Sequence, residues 1–287
     1  MRHRLNTVTA PDGRALGVAQ WGAADGVPVF FLHGTPGSRL ARPDEAALAA
    51  AGLRVVTYDR PGYGASDRRP GRRVVDCAQD VAAIADALGI DRFAVSGWSG
   101  GGPHALAVAA RLADRVTAVE CQASLAPYDA EGLDWWADMG PETTREFGWA
   151  LEGEQVLHDN LLRQAEHDLV RLARERAGVP AADRDAPAVS DDERAFVAAM
   201  HGAYTAGVWG RVDDALSCLQ GWGYSFDEIA VPVTVRYGAR DARISARHSA
   251  WLGTRIPNAK VVVNPDGGHD IDPGTQIEDL RTLVAAG

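Results

Sequence analysis

The apolar positions in the N-terminal part of the chain group into short runs. Leu5–Thr9 and Ala15–Trp21 flank the polar turn Pro11–Arg14, and this pattern predicts a β-hairpin. Val27–Leu32 is apolar at almost every position, which is typical of a strand that is buried on both faces of a sheet. The chain is therefore predicted to begin with an antiparallel pair and to continue into an interior strand.

Strands and helices then alternate along the chain. After Val27–Leu32 the predicted strands are Arg54–Tyr58, Arg92–Ser96 and Val116–Cys121, and the predicted helices are Leu40–Ala51, Val74–Leu88 and His104–Ala113. Gly52 and Gly89 follow the first two of these helices, where glycine commonly ends a helix. The alternation predicts an α/β fold, in which a mostly parallel sheet has helices on both faces and the hairpin adds an antiparallel edge.

The alternation stops from about Leu125 to Asp227, where the chain becomes helical in pattern and rich in charge. This segment holds five of the eight tryptophans, which are Trp135, Trp136, Trp149, Trp209 and Trp222. Within it, Ala177–Asp192 is predicted to be a loop. After it come the predicted strand Val231–Tyr237, helix Ile244–Leu252, strand Lys260–Asn264 and helix Thr275–Ala286. We predict one core domain, residues 1–124 and 228–287, interrupted by a helical insertion, residues 125–227.

Composition narrows the classes of function. The 287 residues are 46% hydrophobic, enough to bury a sizeable core, and the formal net charge is −10. An acidic chain is a poor match for nucleic acid, which is bound by basic patches. The start of the chain lacks the apolar segment of a signal peptide, and no apolar stretch approaches the ~20 residues that cross a membrane. We expect a soluble cytoplasmic protein, with no nucleic-acid or membrane partner and an oligomeric state that stays open.

The three cysteines, Cys77, Cys121 and Cys218, are odd in number and widely spaced. This spacing fits neither a disulfide framework nor a set of metal ligands. We interpret them as small buried apolar residues, and we predict no metal site and no organic cofactor.

The segment Gly97–Gly101 reads Gly-Trp-Ser-Gly-Gly and lies between a predicted strand and a helix. This is the context of a nucleophile elbow, in which a very tight turn presents Ser99 as a nucleophile. Glycines two residues to either side leave room for the turn, and the backbone amides at the start of the helix lie where negative charge develops. A glycine-rich turn that binds phosphate has a similar pattern, so the segment alone does not settle the chemistry.

A second glycine-containing loop, His33–Gly37, follows the strand that ends at Leu32. Gly34 permits a close approach of backbone, and the amide of Thr35 is predicted to form an oxyanion hole together with the amide of Gly100. Gly34 is also predicted to contact the substrate. His33 is interpreted as a residue that holds the loop by hydrogen bonds.

Four segments in chain order give the sequence a specific resemblance to the α/β-hydrolase superfamily, and to its esterase and prolyl-aminopeptidase-like members with a cap domain. They are His33–Gly37, Asp59–Ser66, Gly97–Gly101 and Gly267–His269. With the alternating pattern they cover the chain except for the insertion. In the family the second segment is structural, so no chemistry is assigned to Asp59–Ser66.

The resemblance implies the order nucleophile, acid, histidine along the chain. Asp241 lies where the acid is expected, behind the strand that follows the insertion, and His269 follows the last predicted strand. His269 is thus the expected base and Asp241 the acid that orients it. Asp266 is a competing acid, but it precedes His269 by only three residues and fits a loop cap better. His248 lies inside a predicted helix and is expected to face solvent or to be satisfied in the core.

A serine nucleophile sets this chain apart from epoxide hydrolases and haloalkane dehalogenases, which use an aspartate at this position of the fold. We predict a serine hydrolase that cleaves a small-molecule carboxylic ester, lactone or thioester through an acyl-enzyme on Ser99. Two alternatives stay open: a prolyl-aminopeptidase-like peptidase, in which cap carboxylates bind a substrate amino group, and a non-catalytic ligand-binding protein of the same fold.

The resemblance further implies that the insertion forms a helical cap over Ser99. Its tryptophans either line an apolar pocket or pack the cap helices together, and Trp98 is predicted to border the substrate at the pocket edge. Four acidic residues of the insertion recur at every fourth position, which predicts a solvated helix face; they are Asp134, Asp138, Glu142 and Glu146.

Overall fold

The computed structural model describes residues 4–177, 191–271 and 273–287. Eight strands among these residues form one sheet, and in chain order they are β1 (Arg4–Thr9), β2 (Ala15–Gly22), β3 (Val27–Leu32), β4 (Leu53–Tyr58), β5 (Phe93–Trp98), β6 (Val116–Gln122), β7 (Val233–Gly238) and β8 (Ala259–Asn264). Their order across the sheet is β1-β2-β4-β3-β5-β6-β7-β8. The pairs β1–β2 and β2–β4 are antiparallel and the other pairs are parallel. The predicted α/β architecture with an antiparallel N-terminal edge is confirmed.

The same part of the chain contains α1 (Glu45–Ala50), α2 (Cys77–Ala87), α3 (Gly101–Arg111), α4 (Pro141–Glu152), α5 (Glu154–Ala177), α6 (Asp191–Ala203), α7 (Trp209–Leu219), α8 (Ala246–Arg255) and α9 (Pro273–Ala285). The helices α1, α2, α3, α8 and α9 alternate with the strands. The helices α4 to α7 all come from the segment between β6 and β7, and we call them the inserted helices.

Interior strands bury both of their faces. Phe30 and Leu32 of β3 belong to the hydrophobic cluster that includes side chains of α2 and α3, whereas Val29 and Phe31 belong to the cluster that includes α1 and α9. All four side chains are at most 3% exposed. Because successive side chains of a strand point to opposite faces, a continuous apolar run is what a strand covered on both sides needs.

Several helix boundaries differ from the prediction for local reasons. The first helix begins at Glu45 rather than at Leu40, because Asp44 caps it by accepting a hydrogen bond from Ala47 N at 2.7 Å. The third helix begins at Gly101, three residues before His104, because the elbow runs directly into it. A short 3₁₀ turn over Val74–Asp76 precedes α2.

The prediction for the acidic residues of the insertion was partly wrong. Asp134 and Asp138 lie ahead of α4, which begins at Pro141, so the four acidic residues do not share one helix face. Asp138 has a φ of 60°, a conformation that an α-helix does not contain. The loop predicted over Ala177–Asp192 falls mostly on residues 178–190, which lie outside the described residues; its two ends belong to α5 and α6.

The topology brings the loops of interest to one edge of the sheet. Thr35 follows β3, Ser99 follows β5, Asp241 follows β7 and His269 follows β8. These four strands are parallel, so their carboxyl ends meet at the same edge, where α/β proteins commonly bind ligands.

Candidate active site

Ser99 lies at the tight turn between β5 and α3. Its φ is 54°, in the left-handed region that is costly for a residue with a side chain. A Cβ on Gly97 would overlap the backbone of Gly101, and a Cβ on Gly101 would overlap the backbone of Leu32. The two glycines therefore make room for the turn, as the sequence predicted. The Ser99 residue is 8% exposed and borders a cavity.

Ser99, His269 and Asp241 form one hydrogen-bonded row. The hydroxyl Oγ of Ser99 donates to His269 Nε2 at 3.0 Å, and His269 Nδ1 donates to Asp241 Oδ2 at 2.8 Å. The side chain of His269 is 8% exposed and that of Asp241 is 1% exposed. A nucleophile within reach of a base, and a base oriented by a carboxylate, is the arrangement that general-base activation of a hydroxyl requires.

The second oxygen of Asp241 is held by the backbone. Asp241 Oδ1 accepts hydrogen bonds from Arg243 N at 2.8 Å and from Ile244 N at 3.0 Å, which leaves Oδ2 facing the imidazole. Asp266, the competing acid, instead pairs with Arg240 at 2.7 Å through a side chain that is 77% exposed. The geometry thus brings Asp241, and not Asp266, to the histidine.

Thr35 and Gly100 lie side by side over Ser99. An ideal Cβ built on Gly100 would be only 3.3 Å from Thr35 N, and both residues line the same cavity. Gly100 lies at the N-terminal end of α3, where backbone N–H groups lack partners within the helix. Thr35 and Gly100 are therefore adjacent in the wall of the cavity that Ser99 also lines.

Gly34 does not line the cavity. An ideal Cβ at Gly34 would lie 2.9 Å from Cε3 of Trp98, so this glycine allows the loop to pack on the indole ring. Trp98 itself lines the cavity, and the centroid of its ring is 5.5 Å from that of His269.

Three buried histidines, His33, His104 and His248, hydrogen-bond to the backbone, and His104 Nδ1 donates to Gly100 O at 2.8 Å. His33 donates from Nδ1 to Gly34 O at 2.7 Å and accepts from Arg60 N at its Nε2 atom. His248 accepts from Ala126 N at 3.1 Å and donates to Trp135 O at 2.9 Å. Burial, and then the nearby Arg60 charge, lowers the pKa of His104 to about 3, and burial lowers the pKa of His248 to about 4. These imidazoles stay neutral near pH 7.

Residues of the inserted helices and of the core, Ser99 among them, line a cavity of about 770 Å³. Its walls include apolar residues such as Leu125, Phe147 and Ile244, and also charged residues such as Arg211 and Asp214. Of the five tryptophans of the insertion, Trp149 lines this cavity; Trp135 and Trp222 are buried in hydrophobic clusters. A cavity of this size is typical of sites for small molecules.

Two of the predicted acidic residues lie at the cavity. Glu142 is exposed at its rim, while Glu146 forms a two-pronged ion pair with Arg211 of α7 at 3.1 and 2.6 Å. Arg211 also donates to the hydroxyl of Tyr204 at 3.0 Å. The Glu146 carboxylate is therefore occupied by a neighbouring guanidinium.

Sequence reasoning missed a buried charged network next to Thr35. Asp214 of α7 is 1% exposed and accepts hydrogen bonds from Thr35 Oγ1, Arg60, Tyr63 and Arg72. Burial acts to raise the pKa of Asp214, but the Arg60 and Arg72 guanidinium groups outweigh it and hold that pKa well below its ordinary value. The available signals were two adjacent carboxylates, Asp213 and Asp214, between Val212 and Ala215, and an arginine, Arg60, in a segment to which no chemistry was assigned.

Cys77, Cys121 and Cys218 are buried free thiols. No group of three or more His, Cys, Asp or Glu side chains among the described residues is arranged to hold a metal ion. A search of the same residues also finds no helix with the length and apolar character needed to cross a membrane.

A family model described as alpha/beta hydrolase fold matches residues 27–271 of the chain. The match runs from β3 to the loop that follows β8. It thus includes Thr35, Ser99, Asp241 and His269, together with the inserted helices.

Individual proteins are similar over shorter stretches or at lower identity. A non-heme chloroperoxidase from Streptomyces lividans is 36% identical over 109 residues, and the chain spans about 40% of the length of this curated relative. An alpha/beta hydrolase fold protein from Nakamurella multipartita has a TM-score of 0.65 and 26% identity, with 99% of both chains covered. The esterase RhEst1 from Rhodococcus sp. ECU1013 has a TM-score of 0.68, with 21% identity and 99% of both chains covered, a likeness in fold alone.

Proposed function

The chain belongs to the alpha/beta hydrolase fold family, and we propose that it is a serine hydrolase that cleaves small carboxylic esters through an acyl-enzyme on Ser99. The observation that carries the proposal is the hydrogen-bonded row from Ser99 to His269 at 3.0 Å and from His269 to Asp241 at 2.8 Å. The row opens into a cavity of about 770 Å³, which is roomy enough for a small acyl substrate.

The first half of the reaction forms the acyl-enzyme. Neutral His269 accepts the hydroxyl proton of Ser99 at Nε2 while Oγ attacks the carbonyl carbon of the ester. Asp241 fixes the tautomer of His269 and stabilises the imidazolium. The oxyanion receives hydrogen bonds from the amides of Thr35 and Gly100, and its collapse expels the alcohol, which takes the proton from His269.

The second half regenerates the serine. Water donates a proton to His269 Nε2 and attacks the acyl carbon, and the same two amides stabilise the second tetrahedral intermediate. Its collapse releases the carboxylic acid, and the proton returns from His269 to Ser99 Oγ. No group besides these side chains, the two amides and water takes part in the proposed reaction.

We further propose that the inserted helices act as a cap that shapes the substrate site. Apolar residues that line the cavity, including Leu125 and Phe147, suit an apolar acyl or aromatic group. The pairing of Glu146 with Arg211 argues against the peptidase alternative, because this carboxylate is not free to bind a substrate amino group. The lactone and thioester alternatives share the same acyl chemistry.

The proposal is tested by reaction with a fluorophosphonate and by hydrolysis of p-nitrophenyl acetate and butyrate. Wild-type protein should be labelled at Ser99 and should turn over at least one ester, and Ser99→Ala should abolish both. Ser96→Ala is a matched control, because Ser96 is buried in β5, the strand that leads to Ser99, and its hydroxyl donates to Glu120 at 3.3 Å rather than to His269.

Two results would count against ester hydrolysis. Labelling of Ser99 without turnover in a broad panel of esters and lactones would favour a ligand-binding protein that keeps the fold. Release of naphthylamine from prolyl or alanyl naphthylamides, in the absence of ester turnover, would favour the peptidase.

A further inference from the structure

The peptide group that joins Gly34 to Thr35 is held from its carbonyl end. Gly34 O accepts a hydrogen bond from Arg60 Nη2 at 3.0 Å and another from His33 Nδ1 at 2.7 Å. In a trans peptide the C=O and N–H bonds point in opposite directions. Fixing Gly34 O on the core side therefore aims the Thr35 N–H in the opposite direction, towards the position of the oxyanion.

Arg60 donates hydrogen bonds to three oxygen atoms of this loop. It is fully buried, and besides Gly34 O it binds His33 O through Nη1 and Thr35 Oγ1 through Nη2 at 3.1 Å. A hydrogen bond from a cation is stronger than one between neutral groups, and hydrogen bonds in a chain polarise one another. The guanidinium thus makes the N–H of the same peptide a better donor as well as orienting it.

Asp214 holds Arg60 in this position. Its Oδ1 accepts from Arg60 Nε at 3.1 Å and from Arg72 Nη2 at 2.6 Å, and its Oδ2 accepts from Arg60 Nη2 at 2.6 Å and from Thr35 Oγ1 at 2.6 Å. Asp214 belongs to α7, one of the inserted helices, whereas Arg60, Arg72 and Thr35 belong to the core.

We infer that Arg60 and Asp214 are positioning residues of the oxyanion hole: the cap carboxylate orients the guanidinium, and the guanidinium aims and polarises the Thr35 amide. The oxyanion hole is then complete only when α7 is seated on the core. This inference rests on the proposed function, since it assigns a role within the same reaction.

The chain provides a closely matched pair of variants. Asp213 is the neighbour of Asp214 in α7 and is 3% exposed, and it also binds a core arginine, Arg68, through two hydrogen bonds of 2.9 Å. The other hydrogen bond of Arg68 goes to Glu154, and within the described residues it makes none to His33, Gly34 or Thr35. Asp213→Asn therefore removes the charge from a neighbouring ion pair between α7 and the core, while the contacts of Asp214 and of the oxyanion loop stay in place.

The test compares Asp214→Asn with Asp213→Asn in three measurements: the rate of fluorophosphonate labelling of Ser99, the separate kcat and KM values for p-nitrophenyl acetate, and the Ki of a trifluoromethyl ketone. Loss of a whole oxyanion donor typically costs about 10²–10³ in turnover, and a misdirected donor should cost about tenfold or more. Asp214→Asn should lower the labelling rate and kcat by about tenfold or more and raise the Ki of the ketone by a similar factor. The KM should stay within about twofold of wild type. Asp213→Asn should leave all of them within about twofold of wild type.

A wild-type labelling rate in folded Asp214→Asn, or an equal loss in Asp213→Asn, would overturn the inference. Thr35→Val is the second variant if Asp214→Asn does not fold. It removes only the hydroxyl that ties the loop to Asp214 and Arg60, so threefold or greater slowing of labelling supports the inference and a wild-type rate overturns it. Labelled wild-type protein that hydrolyses no ester contradicts the proposed function, whereas the labelling rates still decide this inference.

Discussion

The indole Nε1 of Trp98 donates a hydrogen bond to the backbone carbonyl of His269 at 3.0 Å. Trp98 is the neighbour of the proposed nucleophile, so this bond joins the elbow to the loop that carries the proposed base. It spans 171 residues of sequence and helps to hold His269 at 3.0 Å from Ser99. We therefore expect Trp98 to position His269 in addition to lining the cavity.

Trp98→Phe should lower kcat by about tenfold, because an error of about 1 Å in the position of a catalytic group can cost ~100-fold. The measurement is ester turnover together with the rate of fluorophosphonate labelling. Trp251→Phe is the control, since Trp251 Nε1 also donates to a backbone carbonyl, that of Glu131, at 3.0 Å. Each variant should lose about 1 kcal/mol of stability, but only Trp98→Phe should lose activity.

Asp241→Asn should reduce kcat by about 10³- to 10⁴-fold, because an amide no longer favours the tautomer of His269 that accepts the Ser99 proton. Asp266→Asn, three residues before His269, should stay within about twofold of wild type, because its exposed carboxylate pairs with Arg240. Kinetics of both variants with one ester decides between the two acids. A larger loss in the Asp266 variant would contradict the assignment.

Gly100→Ala should reduce turnover by about 10²- to 10³-fold, the typical cost of losing one oxyanion donor. An added Cβ would overlap the hydroxyl of Thr35 and lie 2.9 Å from Thr35 Cβ, so it would push the two amides apart. Gly148→Ala in α4 is the matched control, since a Cβ there meets nothing within 4 Å. It should keep full activity and raise stability by about 0.5–1 kcal/mol, because alanine favours the helix.

The buried imidazole of His248 predicts a loss of stability in mild acid. Burial lowers its pKa to about 4, whereas a histidine in the unfolded chain titrates near pH 6.5. Below about pH 6.5 the unfolded state therefore takes up a proton that the folded state does not. The contribution is fully present above that pH and is lost as the pH falls towards about 4, and the loss amounts to about 2 kcal/mol at pH 5.

Urea unfolding of wild type and His248→Gln at pH 7 and pH 5 checks this sign. The variant should be less stable at pH 7, because it disturbs the hydrogen bonds to Ala126 and Trp135. The difference in unfolding free energy between wild type and His248→Gln should shrink by about 2 kcal/mol at pH 5, because glutamine does not titrate. Titration of other groups is common to both chains and cancels in the difference, so parallel stability curves would contradict the assignment.

Much of the fold was predictable because its signals are local. Val27–Leu32 is recognisable as an interior strand because its side chains from Val29 to Leu32 are buried on both faces of the sheet. The boundaries of helices were less predictable: the start of α1 depends on the Asp44 cap, and α3 begins directly at the elbow. The prediction that four acidic residues share one helix face was wrong because Asp134 and Asp138 have a helical spacing but do not lie in a helix.

The sequence by itself determined the place of Ser99, since glycine spacing at a strand–helix junction reflects local backbone sterics. The resemblance to known hydrolases then pointed to Asp241 and His269. Only the tertiary structure decided which carboxylate faces Arg60. Asp214 is 154 residues away from it, and its partner depends on how α7 packs on the core. Whether a charged side chain is buried, and which group pairs with it, depends on residues that folding brings next to it. The order of residues along the chain does not specify these neighbours.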